Sequence, residues 1–369
     1  MENAFIMVIS IADDMFFGSD EEDESGTVPK VVDYGEEIVP PYSDHQFKTH
    51  FRVGPAIFEL LVGMVHDVVP QEVHCGRQAI PLEKQIIITL WCLANIESFR
   101  SVADRFGITK STCWDVLYRT CKHLLRVNNV HHIISWPIGA RCQRIMNEFQ
   151  SVNGFPGIIG AIDECHIRIK KPQEHPNSYC NRKNYHSVLL QGVCDHSKVF
   201  LDVYAGEPGS MHDMGMFRKS DLYYRIINNE IEFPQDSHLI GDLAYKLSTT
   251  LMVGFKNLGG LTNAQMNFNY KLSQCRVDIE NAFGYLKGRF RRLKYMETIR
   301  LDLMSLLIVS SCILHNLCIF NNDLPENIVM DNEVQEIRND ILHEPHVDQF
   351  EENQAIIKRT MIMNALVID

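Results

Sequence analysis

The chain has 369 residues, with 47 Asp and Glu against 35 Lys and Arg, for a formal net charge of −12. That length allows two or three domains and an ample core, and an apolar content of 45% excludes a wholly disordered chain. Eleven Cys without a C-x-x-C pair, an acid rather than bases at the N-terminus, and no apolar run judged long enough for a bilayer lead us to expect a soluble, reduced, intracellular protein with no membrane segment.

The charge is distributed unevenly. Residues 1–47 hold 12 acids and one Lys, residues 321–369 hold 11 acids and three bases, and residues 48–320 keep 24 acids against 31 bases, a net of +7. A basic body between acidic ends fits a nucleic-acid-facing surface with solvated tails. Residues 1–46 are acidic, turn-rich and aperiodic, and are expected to be a disordered tail; residues 321–369 are expected to be an acidic C-terminal tail.

From 47 to 150, apolar residues recur every three or four positions in "AIFELLVGMVHDVV" and "LEKQIIITLWCLAN", which predicts a helical domain. Within it, residues 98–125 have the grammar of a helix-turn-helix. Val102, Ala103 and Phe106 share a face, Gly107 ends a helix, Ile108 fills the turn, and Thr109 or Ser111 opens a second helix. Lys110, Ser111, Thr112 and Arg119 are candidate DNA contacts, flanked by Arg100 and Arg105. An ordinary helical hairpin would show the same pattern.

From 151 to 320 the texture changes to strands. "GIIGAIDECHIRI", "HSVLLQGVCD" and "KVFLDVYAGEP" read as a three-stranded antiparallel meander, followed by a helix, a short strand ending at Asp242, and a long helix over 272–296. This is the element order of a ribonuclease-H-like α/β (α+β) domain with a mixed sheet. Its topology sets the first and fourth strands side by side with the later helix across them, so that Asp163, Asp242 and Glu280 converge. A carboxylate inside an apolar strand, as at Asp163, is costly unless paired, hydrogen-bonded or bound to metal. Three oxygen donors suit Mg²⁺ or Mn²⁺, and two ions about 3.5 to 4 Å apart could serve phosphodiester chemistry. Arg276 and Lys287 lie near the same helix face as Glu280, although Glu280 taken alone reads first as half of a surface salt bridge to Arg276. "Cys312-x-x-His315-x-x-Cys318" has no evident fourth ligand, so core packing is expected there rather than zinc.

"GAIDECHI", "GEPGSMHDMGMFRKS", "LIGDLAYKL", "CRVDIENAFGYLKGRFRRL" and "CILHNL" resemble, in order and spacing over residues 50–320, the catalytic blocks of PIF/Harbinger transposases and their domesticated nuclease relatives. The resemblance implies a metal-dependent DNA endonuclease using a two-metal DDE mechanism. Its acids fall on Asp163, Asp242 and Glu280, with His212 and Asp213 in supporting roles. It also implies DNA as substrate, a separate Myb-like DNA-binding partner, and a nuclear location, with the cytoplasm and oligomerisation left open. Glu164 and Cys165 stand where that family has Gly and Thr, and Leu243 and Ala244 replace its small residues before Tyr245. A non-catalytic DNA- or protein-binding factor on the same fold, and an enzyme acting on RNA, are the alternative readings.

Overall fold

The computed structural model describes residues 31, 34–69, 80–297, 300–324 and 349–366. The expectation of a disordered acidic tail therefore falls mostly on residues outside the described ones. Among those described, α1 (Asp44–Phe51), α2 (Pro55–Val68), α3 (Leu82–Ala94), α4 (Phe99–Arg105), α5 (Lys110–His131) and α6 (Ala140–Asn153) precede the first strand. Helices α4 and α5 flank a short turn at the positions where the sequence expects one. Gly107 takes φ 69°, which a side chain would resist, and the Thr109 hydroxyl caps α5 by accepting from the Thr112 N–H.

The sheet has five strands in the order β3-β2-β1-β4-β5. β1 (Ile158–Arg168), β2 (Ser187–Cys194) and β3 (Phe200–Pro208) form the predicted antiparallel meander, with a single helical turn, α7 (Pro176–Tyr179), between β1 and β2. After α8 (Asp213–Lys219) and α9 (Asp221–Ile227), β4 (His238–Ile240) returns parallel to β1, and β5 (Leu251–Met252) extends the edge. Burial on both faces is what makes β1 and β2 near-continuous apolar runs.

α10 (Asn263–Arg289) packs across β1 and β2. It begins nine residues before the sequence-based expectation and ends seven residues short of it. The start is fixed by a capping box in which Thr262 and Gln265 satisfy each other's backbone N–H, and the chain leaves the helix at Phe290 for a 3₁₀ turn over Arg291–Lys294. The close approach of α10 is permitted by Gly192 on β2, where a Cβ would lie 3.1 Å from Phe283 and 2.9 Å from Phe200.

α11 (Leu301–Phe320) is long and apolar enough to satisfy a membrane-span criterion, contrary to the first reading of the sequence, but its apolarity serves the core: it packs between α5 and β3. The Asn316 amide donates to the Ile133 and Phe200 carbonyls and accepts from the Phe200 N–H, tying the helical segment to the sheet. Arg292 makes a similar tie, donating to the carbonyls of Cys92 and Glu97. Cys312, His315 and Cys318 are all buried in α11, and the His315 Nε2–H donates to the Lys198 carbonyl, so packing and not zinc accounts for this spacing.

Two segments expected to be solvated are packed. Tyr34 lies edge-on against Trp91 and Phe106 under the Arg105 guanidinium, so the body begins before residue 46. α12 (Gln349–Ala365) docks beside α10: Ala355, Ile362 and Leu366 are buried, Lys358 donates to the Ser237 and Thr249 carbonyls, and Arg359 lies 4.0 Å over the Phe255 ring. The net acidity of residues 321–369 masked the short apolar stripe that makes this contact.

Candidate active site

Asp163 occupies the middle of β1 and is 1% exposed. One carboxylate oxygen accepts the Glu164 N–H at 2.9 Å, and the other accepts from Arg276 Nη2 at 2.9 Å. β4 runs parallel to β1 and pairs Ile240 with Ala161, so Asp242, two residues beyond the strand, arrives at the level of Asp163. There the Ala244 N–H at 2.9 Å orients its Oδ1. Asp213 arrives after β3 as the first residue of α8, buried, where the helix N-terminus favours a negative charge.

The structure brings together Asp163, Asp213 and Asp242, each offering an oxygen within 4.8 Å of the others. Burial and the nearby Asp163 charge raise the Asp242 pKa, as expected for like charges held in one place. All donors are hard oxygens and no Cys or His joins them, which fits a divalent cation of the Mg²⁺ or Mn²⁺ kind.

Glu280 is not in that cluster. Its side chain is half exposed on α10, 3.9 Å from Arg276 Nη2, and partial burial raises its pKa. Arg276 therefore lies between the first and last acids of the sequence-derived triad. Burial opposes its charge, but Asp163, Asp242 and Glu280 together hold it protonated. Lys287 donates to the His166 carbonyl at 2.9 Å, which anchors α10 along β1. His212 is the exposed residue before α8, its side chain makes no capping bond to the helix, and its Nδ1 accepts from Arg182 at 2.9 Å.

The candidate contacts on α4 and α5 belong to the helical part of the chain that precedes the sheet. Arg100, Lys110, Ser111 and Arg119 are exposed. The hydroxyls of Ser111 and Thr112 are within 2.9 and 2.7 Å of Thr109 Oγ1, so the cap already engages them. The outer face of α5 carries Trp114 and Tyr118 stacked 5.1 Å apart, with Arg300 over the first ring and Lys122 over the second, an arrangement that the i, i+4 aromatic spacing could have revealed.

Residues 162–316 match the family model described as DDE superfamily endonuclease. The chain is 30% identical over 244 residues to the rat protein named "Putative nuclease HARBI1", covering 65% of this chain and 68% of that one. It belongs to the Harbinger transposase-derived nucleases. Within this family the chain is also 28% identical over 299 residues to Antagonist of Like Heterochromatin Protein 1 of Arabidopsis thaliana, covering 76% of this chain and 74% of that protein. The human HARBI1 is 29% identical over 244 residues, covering 65% and 68%. No solved structure matches the chain. The matched region of this Harbinger relative contains all four acids, Asp163, Asp213, Asp242 and Glu280.

Proposed function

We propose that the protein is a metal-dependent DNA endonuclease. The observation that carries this reading is the convergence of three buried or part-buried carboxylates from β1, α8 and the end of β4 within one 4.8 Å cluster, inside a region that matches DDE endonucleases. Asp163, Asp213 and Asp242 would hold Mg²⁺ or Mn²⁺, and Glu280, half exposed on α10, would join from the solvent side. Bound there, a pair of such ions would supply a water or 3′-hydroxyl activated at neutral pH and charge stabilisation for the leaving oxygen. The chain's own residues do the rest. The Glu164 and Ala244 N–H groups fix the orientation of the first two carboxylates, and Arg276 balances their charge and stands ready for a phosphate. Sequence selection would fall to a separate Myb-like partner in the nucleus, as the family resemblance implies.

The plant relative's name describes antagonism of a chromatin protein, which favours a second reading, a binding factor on the nuclease fold. Incubation of supercoiled plasmid with purified protein separates the two. The nuclease reading expects nicked and linear DNA with Mn²⁺, none with chelator, and none from Asp242→Asn. Intact plasmid in all three, with and without a Myb-like partner, would favour the binding factor.

A further inference from the structure

β1 and α10 carry more than the acids. They run in the same direction past one another: Arg276 meets Asp163, Lys287 meets the His166 carbonyl eleven residues further along its helix, and Met296 bridges Ile169. Beyond the level where β4 stops, both elements turn basic. The Met296 N–H donates to the Arg168 carbonyl and the Lys170 N–H to the Met296 carbonyl, each at 2.9 Å, which sets the end of β1 beside the 3₁₀ turn after α10. Arg168 at the end of the strand, Lys170 and Lys171 just after it, and Arg291 from the turn are exposed there and make no ion pair among the described residues, and Lys183 is exposed on the return toward β2. Residues 165–186 contain five Lys and Arg against one acid, Glu174, and residues 284–296 contain five against none. Of those ten, Arg289 and Arg292 are buried and donate to carbonyls of the helical segment, Lys287 donates to the His166 carbonyl and Arg182 to His212, whereas Lys170, Lys171 and Arg291 stay exposed at this end of β1 and α10.

The distance from the acids is informative. Five to eight strand residues separate Asp163 from Arg168 and Lys171, about 17 to 26 Å at strand rise. Nine positions of α10 and two leading into the 3₁₀ turn separate Glu280 from Arg291, about 16 to 18 Å. At about 3.4 Å per base pair, that is five to eight base pairs from a phosphate at the carboxylates.

We propose that this surface is the seat of the DNA duplex flanking the cut, and that it, rather than the α5 helix, supplies most of the electrostatic binding. It rests on DNA being the substrate of the carboxylate site. A duplex matches it because the basic side chains lie in a band extending from the acids and not in a pocket, and because exposed bases outside any ion pair among the described residues, such as Lys170, Lys171 and Arg291, exchange counterions with phosphates at no cost in broken ion pairs.

The test is the salt dependence of binding to a fluorescent 24-base-pair duplex, measured by anisotropy in EDTA so that neither metal nor cleavage enters. Lys170→Gln/Lys171→Gln/Arg291→Gln should keep the wild-type melting temperature. It should weaken binding more than tenfold at 100 mM salt and lower the log–log salt slope by about 2.7, at about 0.9 per lost contact. If the triple variant is unstable, Lys170→Gln/Lys171→Gln should lower the slope by about 1.8 on the same scale. Lys110→Gln/Arg119→Gln on α5 should change it by less. An unchanged slope in the β1 and turn variants, or the larger loss in the α5 variant, overturns the proposal. Normal binding and slopes with no plasmid cleavage under any condition would instead count against the nuclease reading and leave the DNA seat standing.

Discussion

Arg276→Gln perturbs the one interaction that joins the buried end of the site to its exposed end. In the wild type, Nη2 lies 2.9 Å from an Asp163 oxygen that is almost fully removed from water, and 3.9 Å from Glu280. Removing one partner of a buried pair costs about 3 to 5 kcal/mol when nothing replaces it. Here the Glu164 N–H still serves Asp163 and the Gln amide can offer a neutral donor, so a loss of about 2 kcal/mol is expected for the metal-free protein. At about 2 to 4 °C per kcal/mol that is a fall of about 4 to 8 °C in Tm. A divalent cation then finds the carboxylates with less positive charge beside them. Added Mn²⁺ should raise the Tm of the variant more than that of the wild type and recover part of the deficit, because ligand that binds only the folded state stabilises it by mass action. Differential scanning calorimetry of both proteins in EDTA and in Mn²⁺ reads all four values. Equal stability in EDTA would show that the pair contributes nothing, and an equal metal response would show that Arg276 does not share the charge that the cation meets.

Three further outcomes follow from the geometry. Asp213→Asn should abolish the Mn²⁺-induced rise in Tm as fully as Asp242→Asn does, because both belong to the 4.8 Å cluster, whereas Glu280→Gln should only reduce it; the reverse order in the same melting experiment would restore the triad read from sequence. Burial holds His238 down to about 3 and His315 down to about 4, whereas unfolded His protonates near 6.5, so their contribution to stability is present above pH 6.5 and is lost as pH falls toward 4. His238→Leu should therefore flatten the acid side of the stability profile by up to about 1.4 kcal/mol per pH unit, measured by urea melts from pH 7 to 4.5; Asp195, raised to about 6 by burial, changes in the opposite sense in both proteins and cancels from their difference. Deleting residues 349–369 removes the packing of Ala355, Ile362 and Leu366 and the Lys358 and Arg359 bonds, and should lower Tm by several degrees, where a solvated tail would leave it unchanged.

Much of the fold was legible because its signals are local. The alternation through Ile158–Ile169, the short apolar run into Gly241, and the stripe of Ile279, Ala282, Phe283 and Leu286 each reflect burial against a neighbour one layer away. The cap at Thr262 is equally local, in the T-x-x-Q spacing, but it lies ahead of the apolar stripe that marks the rest of the helix. β5 is only two residues long and α12 lies in an acidic stretch, so neither carried enough periodicity to be seen. The site was half legible. Asp163 and Asp242 stand out as acids in and just after apolar strands. The membership of Asp213 depends on how the segment after β3 folds back over the sheet, and the separation of Glu280 from the cluster depends on the position of Arg276, a long-range contact across 113 residues that no spacing encodes.

The central claim is that the carboxylate cluster is a divalent-cation site built for DNA cleavage. Isothermal titration of Mn²⁺ into the wild type and into Asp163→Asn, with circular dichroism confirming that both are folded, tests it most directly. The account predicts saturable binding of one or two ions to the wild type and its loss in the variant. Equal binding by the two proteins, or no binding by the wild type, would contradict it.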